Sequence, residues 1–286
     1  MATAAATSGV RRRRFEAAGT SSRLLEAGPA AEMGTAVVFL HGNPGSADDW
    51  EPLVGAVGAS GARGLAFDLP DFGETIAPAG FEHSAPGYAG FVDAALAALA
   101  VDRVHFVLHD FGGPIGLTWI ASHADRLASL TLIDIGILPG YKWHRLARIW
   151  RTPVLAEIFQ GTATRPAFRT LISRGEPRGL PRPFVERMYD HYDRRTKRAV
   201  LKLYRATDDP GAPEPELVAA LRERDPPALV IWGGGDSYLP SSYAERQREF
   251  LPRAEVNVLP HSGHWPFADD PAAVERLLLD FLGRVA

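Results

Sequence analysis

The sequence predicts an α/β fold, a mostly parallel sheet with helices on both faces. Short apolar runs alternate with segments of helical spacing along most of the chain. Runs of roughly four to eight apolar residues between helices are the mark of strands buried on both faces. An acid or a histidine stands just past several of these runs, where open α/β sheets build their sites. The 286 residues are 46% hydrophobic and 23% charged, an ordinary globular balance with ample length to bury a core.

In chain order, "TAVVFLHG" (35–42) and "GLAFDLP" (64–70) are short strands of the buried type. "GYAGFVDAALAALA" (87–100) has helical spacing. "VHFVLHD" (104–110) is a strand, "PIGLTWIASHA" (114–124) a helix and "LASLTLIDIG" (127–136) a strand. "PALVIWGGGD" (227–236), "AEVNVLP" (254–260) and the helix "PAAVERLLLDFLGRV" (271–285) close the chain. No internal repeat is visible. Residues 138–213 differ: they are rich in arginine and aromatics and carry no strand signature. They read as a helical cap inserted after the sixth strand, with the Pro- and Asp-rich "TDDPGAPEPE" (207–216) as the return. The expected division is a tail at 1–20, a core at 21–137 and 214–286, and the cap between.

Net charge is −3, which points to neither nucleic acid nor a polyanionic partner. There are no cysteines, so disulfides, thiolate zinc sites and thiol nucleophiles are excluded. The basic run "RRRR" (11–14) follows small residues and precedes no apolar segment, so a secretory signal is not expected. No apolar stretch approaches a membrane span. The expectation is a cytoplasmic protein, a monomer or homodimer, that touches neither membrane nor nucleic acid.

The chemistry-bearing residues follow strands. Asp110 sits where "VHFVLHD" breaks into "FGGPIG", a sharp strand-to-helix turn. Asp236 ends "ALVIWGGGD", and His264 lies in "LPHSGHWPF" just past the last strand. Asp134, in "LIDIG", ends another strand and is an alternative acid. An Asp after a strand is commonly a turn former; the three together, in order, point to a nucleophile, an acid and a base. The histidines and carboxylates show no H-E-x-x-H spacing, so no metal and no cofactor are expected.

The motifs "HGNPGS" (41–46), "HDFGG" (109–113), "WGGGD" (232–236) and "SGHWP" (262–266) give the resemblance. The sequence resembles the α/β-hydrolase fold family, in its epoxide hydrolase and haloalkane dehalogenase branch, over nearly the whole chain after about residue 20. The resemblance implies that Asp110 is a nucleophile forming an alkyl ester. His264 then activates water to hydrolyse the ester, and Asp236 orients the imidazole. It implies an oxyanion hole from the backbone N–H groups of Asn43 and Phe111. Two departures stand out. The family pattern has Gly where this chain has Leu108, and Gly where it has Asp71. His41 is expected to shape its loop rather than to react.

The leaving group separates the branches. An epoxide oxygen needs a proton, and Tyr204, in "LKLYRATDD", resembles one ring-opening tyrosine. The matching place for a second, near "PVLAEIFQ" (153–160), holds none; Tyr141, Tyr189 and Tyr192 are possible substitutes. Halide needs N–H donors. Asn43 has the dehalogenase identity, while Phe111 stands where Trp is usual, leaving Trp143 or His144 as donors. No arginine lies between Asp110 and Arg126, which disfavours fluoroacetate-type substrates. Trp143, His144, Tyr141 and Trp265 are the expected contacts of a small apolar organic substrate. The favoured reading is an epoxide hydrolase; the alternatives are a haloalkane dehalogenase with the same triad and a ligand-binding, receptor-like relative without turnover.

Overall fold

A computed structural model describes residues 9–29, 34–173 and 176–285. Its strands are β1 (Arg11–Ala17), β2 (Thr20–Ala27), β3 (Thr35–Leu40), β4 (Gly64–Phe67), β5 (Arg103–His109), β6 (Leu127–Ile133), β7 (Ala228–Gly233) and β8 (Glu255–Leu259). The helices are α1 (Glu51–Ala59), α2 (Ala85–Ala98), α3 (Gly112–His123), α4 (Arg145–Arg151), α5 (Leu155–Gly161), α6 (Arg165–Ser173), α7 (Arg182–His191), α8 (Arg194–Ala206), α9 (Pro215–Arg224), α10 (Ser242–Arg246), α11 (Pro266–Asp269) and α12 (Pro271–Val285). One sheet runs β1-β2-β4-β3-β5-β6-β7-β8. The β1–β2 and β2–β4 pairs are antiparallel and the others parallel. The α/β class expected from the alternation of apolar runs is therefore the observed one.

The central strands bury nearly every side chain. Val38, Phe39 and Leu40 of β3, Phe106, Val107 and Leu108 of β5, and Val230 and Ile231 of β7 are wholly inaccessible. A strand with helices on both faces has no side to show to water, so its sequence loses the in–out alternation. The edges differ. In β1 only Phe15 and Ala17 are buried.

The tail expected at 1–20 is corrected here. Residues 1–8 lie outside the described residues, but Arg11–Ala17 forms edge strand β1 in register with β2. The turn between them is Ala18–Gly19, with φ of +47° and +74°. Two consecutive positive φ values match the twist of a two-residue hairpin. The four arginines hid the strand, because an edge strand needs only one ladder of hydrogen bonds and little burial. Glu26 of β2 gathers Arg13 at 3.1 Å and Arg63 at 2.9 Å.

Between β6 and β7 come α4 to α8, then α9, which packs back on α3. Side chains of α7 and α8 fasten to loops of the sheet region. Thr196 Oγ1 donates to the Asp71 carbonyl at 2.9 Å, and Arg195 donates to the Gly73 carbonyl at 2.7 Å. His191 Nδ1 lies 3.1 Å from Ser46 Oγ. Asp71, which stands in place of a glycine, does adopt φ +66°. Its carboxylate accepts from Ala77 N–H at 2.9 Å and meets His83 Nε2 at 2.8 Å. Short polar side chains that bond locally tolerate this region best.

Candidate active site

Asp110 is the single residue between the end of β5 and Phe111, which caps α3. Its φ is +47°, a conformation that costs a non-glycine residue roughly 1–2 kcal/mol. The turn closes only because its neighbours lack side chains. A Cβ on Gly42 would lie 2.3 Å from Asp110 Cβ, and one on Gly112 would lie 2.3 Å from the Leu40 carbonyl oxygen. Leu108, the other departure from the glycine pattern, is taken up by α3. A Cβ on Gly116 would fall 2.6 Å from Leu108 Cδ2, so a small residue in the helix makes room for a large one in the strand.

Asp110 Oδ1 accepts the Asn43 backbone N–H at 2.6 Å, and Oδ2 lies 3.5 Å from His264 Nε2. The other ring nitrogen, Nδ1, is 2.7 Å from Asp236 Oδ2. Asp236 is locked in turn, since its Oδ1 accepts the N–H groups of Tyr238 at 2.7 Å and Leu239 at 3.0 Å. Asp134, the alternative acid, faces the same cluster, with polar atoms of Asp134, Asp236 and His264 all within 4.8 Å of one another. However, its Oδ1 accepts from Gly233 N–H at 2.8 Å, and its Oδ2 has no hydrogen-bond partner among the described residues. Asp236 is thus the partner of the imidazole.

The loop around His264 is held on its main chain as well. His109 donates Nε2–H to the His264 carbonyl at 2.8 Å. Glu176 Oε1 accepts the His264 backbone N–H at 2.9 Å.

Electrostatics sorts these groups. Burial pushes the Asp110 carboxyl up, but the hydrogen bond and charge of His264 and the Asn43 N–H outweigh it, so it sits below the ordinary value. Burial pushes His264 down, but Asp236 and Asp110 on its two nitrogens raise it well above the ordinary value. Burial and the Asp236 charge raise Asp134 well above its ordinary value. Burial lowers His109 to about 3, which keeps it an uncharged donor. His41 is lowered to about 4 by burial; its Nδ1–H donates to the Gly42 carbonyl at 3.0 Å and its Nε2 accepts from Leu69 N–H at 3.1 Å. That is the loop-shaping role expected of it.

Asp110 opens onto a cavity of about 650 Å³ between the strand ends and the inserted helices. Asn43, Phe111 and His264 line it, as do Tyr204, Trp143, His144, Tyr141 and Trp265. All the residues expected to touch substrate therefore face one space. Their own bonds differ. His144 Nδ1 accepts from Ala147 N–H at 3.2 Å and caps α4, and Tyr141 donates to the Tyr238 carbonyl at 3.3 Å. Tyr204 is 3% exposed, with its ring 4.7 Å from Phe111 and 5.2 Å from Trp143. Arg151 bonds the backbone carbonyls of Tyr204 and Thr207, tying α4 to the end of α8. Of the substitute tyrosines, Tyr192 lines the cavity and is bonded to Gln160 Nε2 at 2.7 Å, whereas Tyr189 points to the Ala163 carbonyl.

Three site neighbours escaped the sequence reading. The Tyr238 ring lies 5.1 Å from that of His264, tilted by 60°; its place two residues past Asp236 was a usable signal. His109, directly before Asp110, offered another. Glu176 offered none, because nothing in "SRGEPRG" says that it reaches a histidine 88 positions away.

Residues 35–271 match the family model of the alpha/beta hydrolase fold. Among curated proteins, the chain is 29% identical over 271 residues to the dihydrolipoyllysine-residue acetyltransferase component of the acetoin cleaving system of Pseudomonas putida, covering 93% of this chain and 68% of that one. It is 25% identical over 263 residues to 2-hydroxy-6-oxo-6-phenylhexa-2,4-dienoate hydrolase of Burkholderia cepacia, covering 88% and 89%. Among solved structures, epoxide hydrolase VrEH1 from Vigna radiata superposes with a TM-score of 0.78 at 18% identity, covering 98% and 100%. Haloalkane dehalogenase DbeA from Bradyrhizobium elkani USDA94 does so with 0.83 at 20%, covering 96% and 98%. At those identities the likeness concerns the fold. The match over most of its length makes this chain a member of the α/β hydrolase fold family.

Proposed function

We propose that the protein is a hydrolase that opens an epoxide to a vicinal diol through an ester on Asp110. One observation carries the reading: a carboxylate at the strand-to-helix turn shares a largely aromatic cavity with the buried phenol of Tyr204. A carboxylate displaces oxygen or halogen from sp³ carbon, which a serine-type acyl transfer site does not do.

In the first step an Asp110 oxygen attacks a ring carbon, the C–O bond breaks, and the electron pair goes to the epoxide oxygen. Tyr204 supplies the proton. Burial and the Asp110 charge raise that phenol well above its ordinary value, so it enters the step protonated. Esterification removes the negative charge on Asp110, and with it one of the two groups that hold His264 as a cation. His264 then takes a proton from water, and the oxygen adds to the Asp110 carboxyl carbon. The Asn43 N–H, already 2.6 Å from Oδ1, and the Phe111 N–H at the start of α3 stabilise the oxyanion. Collapse of that adduct breaks the bond between the Asp110 carboxyl carbon and the alkoxy oxygen, His264 gives its proton to that oxygen, the diol leaves, and the proton of the new Asp110 carboxyl restores Tyr204. Asp236 keeps the imidazole in the required tautomer throughout. In this reading α4 to α8 form a cap, and the substrate is a small apolar molecule.

A second reading is favoured by Asn43 Nδ2 and Trp143 Nε1. Both are buried, line the cavity and have no hydrogen-bond partner among the described residues. Two such N–H groups suit a departing halide. The test is turnover of styrene oxide and of 1-bromobutane, with diol and bromide both quantified and Asp110→Asn in parallel. Diol from the wild type, lost by about 10⁴-fold in the variant, supports the epoxide reading. Bromide without diol transfers it to the halide reading. Saturable binding of either compound without product sinks both and leaves a receptor-like role.

A further inference from the structure

Glu176 belongs to the stretch between α6 and α7, yet its side chain ends inside the strand-end cluster. The residue is 6% exposed and accepts the His264 backbone N–H through Oε1. On the same loop, Asp269 of α11 accepts the Gly263 N–H through Oδ2 at 2.7 Å. Two consecutive amides are therefore held by two carboxyls, one from the insertion and one from the sheet domain. The remaining oxygens, Glu176 Oε2 and Asp269 Oδ1, are buried and reached by no N–H among the described residues. A buried carboxyl that accepts a single N–H and leaves its other oxygen unpaired favours the neutral acid.

We propose that Glu176 is a positioning residue for His264. As a neutral carboxylic acid it accepts the histidine's backbone N–H, beside the Gly263 N–H that Asp269 holds, so that the insertion and the base-bearing loop seat as one unit. The inference rests on the reading of His264 as the base of ester hydrolysis. Burial raises Glu176 to about 8, against the His264 N–H that favours its charged form. The groups facing it are His264, Asp236 and Asp269, with the Tyr238 phenol against it and Arg178 beyond Asp269, paired to Asp270 at 2.9 Å. The sign follows. The folded chain keeps a proton that the unfolded chain releases near 4.5. Glu176 therefore opposes folding increasingly from that pH up to about 8, and by a constant amount above it.

The experiment is amide hydrogen exchange at His264, read by NMR on the full chain from pH 7 to 9 as protection relative to the intrinsic rate. In the wild type, protection falls by about tenfold per unit as the pH rises toward 8 and levels off above it. Glu176→Gln keeps the acceptor and replaces O–H with N–H, so it holds wild-type protection at pH 7 and keeps it at pH 9. Glu176→Ala loses protection at every pH. With styrene oxide it accumulates the Asp110 ester, seen by intact mass, because hydrolysis slows by about 10²-fold while alkylation does not. Protection that stays flat to pH 9 in the wild type overturns the proposal, whatever the variants do. So does a Gln variant that behaves like Ala at pH 7, since the charge and not the neutral acid would then matter. If the wild type turns over neither styrene oxide nor 1-bromobutane, the hydrolase reading fails while the exchange data still decide the role of Glu176.

Discussion

The strand ends and the inserted helices face each other across one cavity and hold their polar groups by opposite means. At the strand ends each of the three acids is tied to backbone: Asp110 to Asn43 N–H, Asp236 to Tyr238 and Leu239 N–H, Asp134 to Gly233 N–H. On the inserted side, Trp143 Nε1 and Trp150 Nε1 are buried with no partner among the described residues, and both rings pack on that of Tyr204. Backbone donors fixed by a sheet do not reorganise during reaction, which is what stabilising a developing charge requires. Unmatched donors against an apolar wall favour a ligand that supplies the missing acceptor. In the proposed reaction the strand ends would make and break the bond to Asp110, while the inserted side would supply the apolar wall and the leaving-group proton of Tyr204.

The largest effect that tests this contrast lies within the strand ends. Asp236→Asn is expected to lower kcat on styrene oxide by about 10⁴-fold, the loss that follows when an amide replaces the acid that fixes a histidine tautomer. Asp134→Asn, at a carboxyl that does not bond the imidazole, is expected to cost less than about tenfold by the same assay. Equal losses would erase the distinction between the two acids.

A smaller effect probes the inserted side. Tyr204→Phe keeps the ring packing against Phe111 and Trp143 and removes one proton donor. Diol formation is expected to fall by about 10²-fold, with bromide release from 1-bromobutane changed far less. A parallel fall in both would mean that Tyr204 acts through packing.

The smallest lies away from the cavity. Arg12 on β1 meets Glu51 at 2.6 Å, with both side chains partly exposed. Arg12→Ala is expected to shift stability in urea by no more than about 0.5 kcal/mol. A larger loss would show that the edge hairpin supports the sheet more than its exposure implies.

Much of the strand-end side was legible in the chain. Asp110, Asp236 and His264 each follow an apolar run, and beside them stand glycines at which an added Cβ would fall as close as 1.9 Å to a neighbouring atom. Local constraints of that kind leave local motifs. Edge strand β1 was misread as tail because arginines satisfy an edge as well as apolar residues do. Tyr238 and His109 sat beside recognised residues and passed unnoticed, since their roles depend on which way a ring turns.

The chain order of short apolar runs, the glycine-bounded turns and the residues that end them dictated the sheet and its reactive corner. Those features answer to backbone sterics and to burial on two faces, which act over a few residues at a time. The choice of Asp236 over Asp134, the accommodation of Leu108 by Gly116, and the arrival of Glu176 behind His264 were settled by folding. Each is a distance between segments far apart in sequence, and a pattern along the chain carries no record of it until the sheet and the helices are packed together.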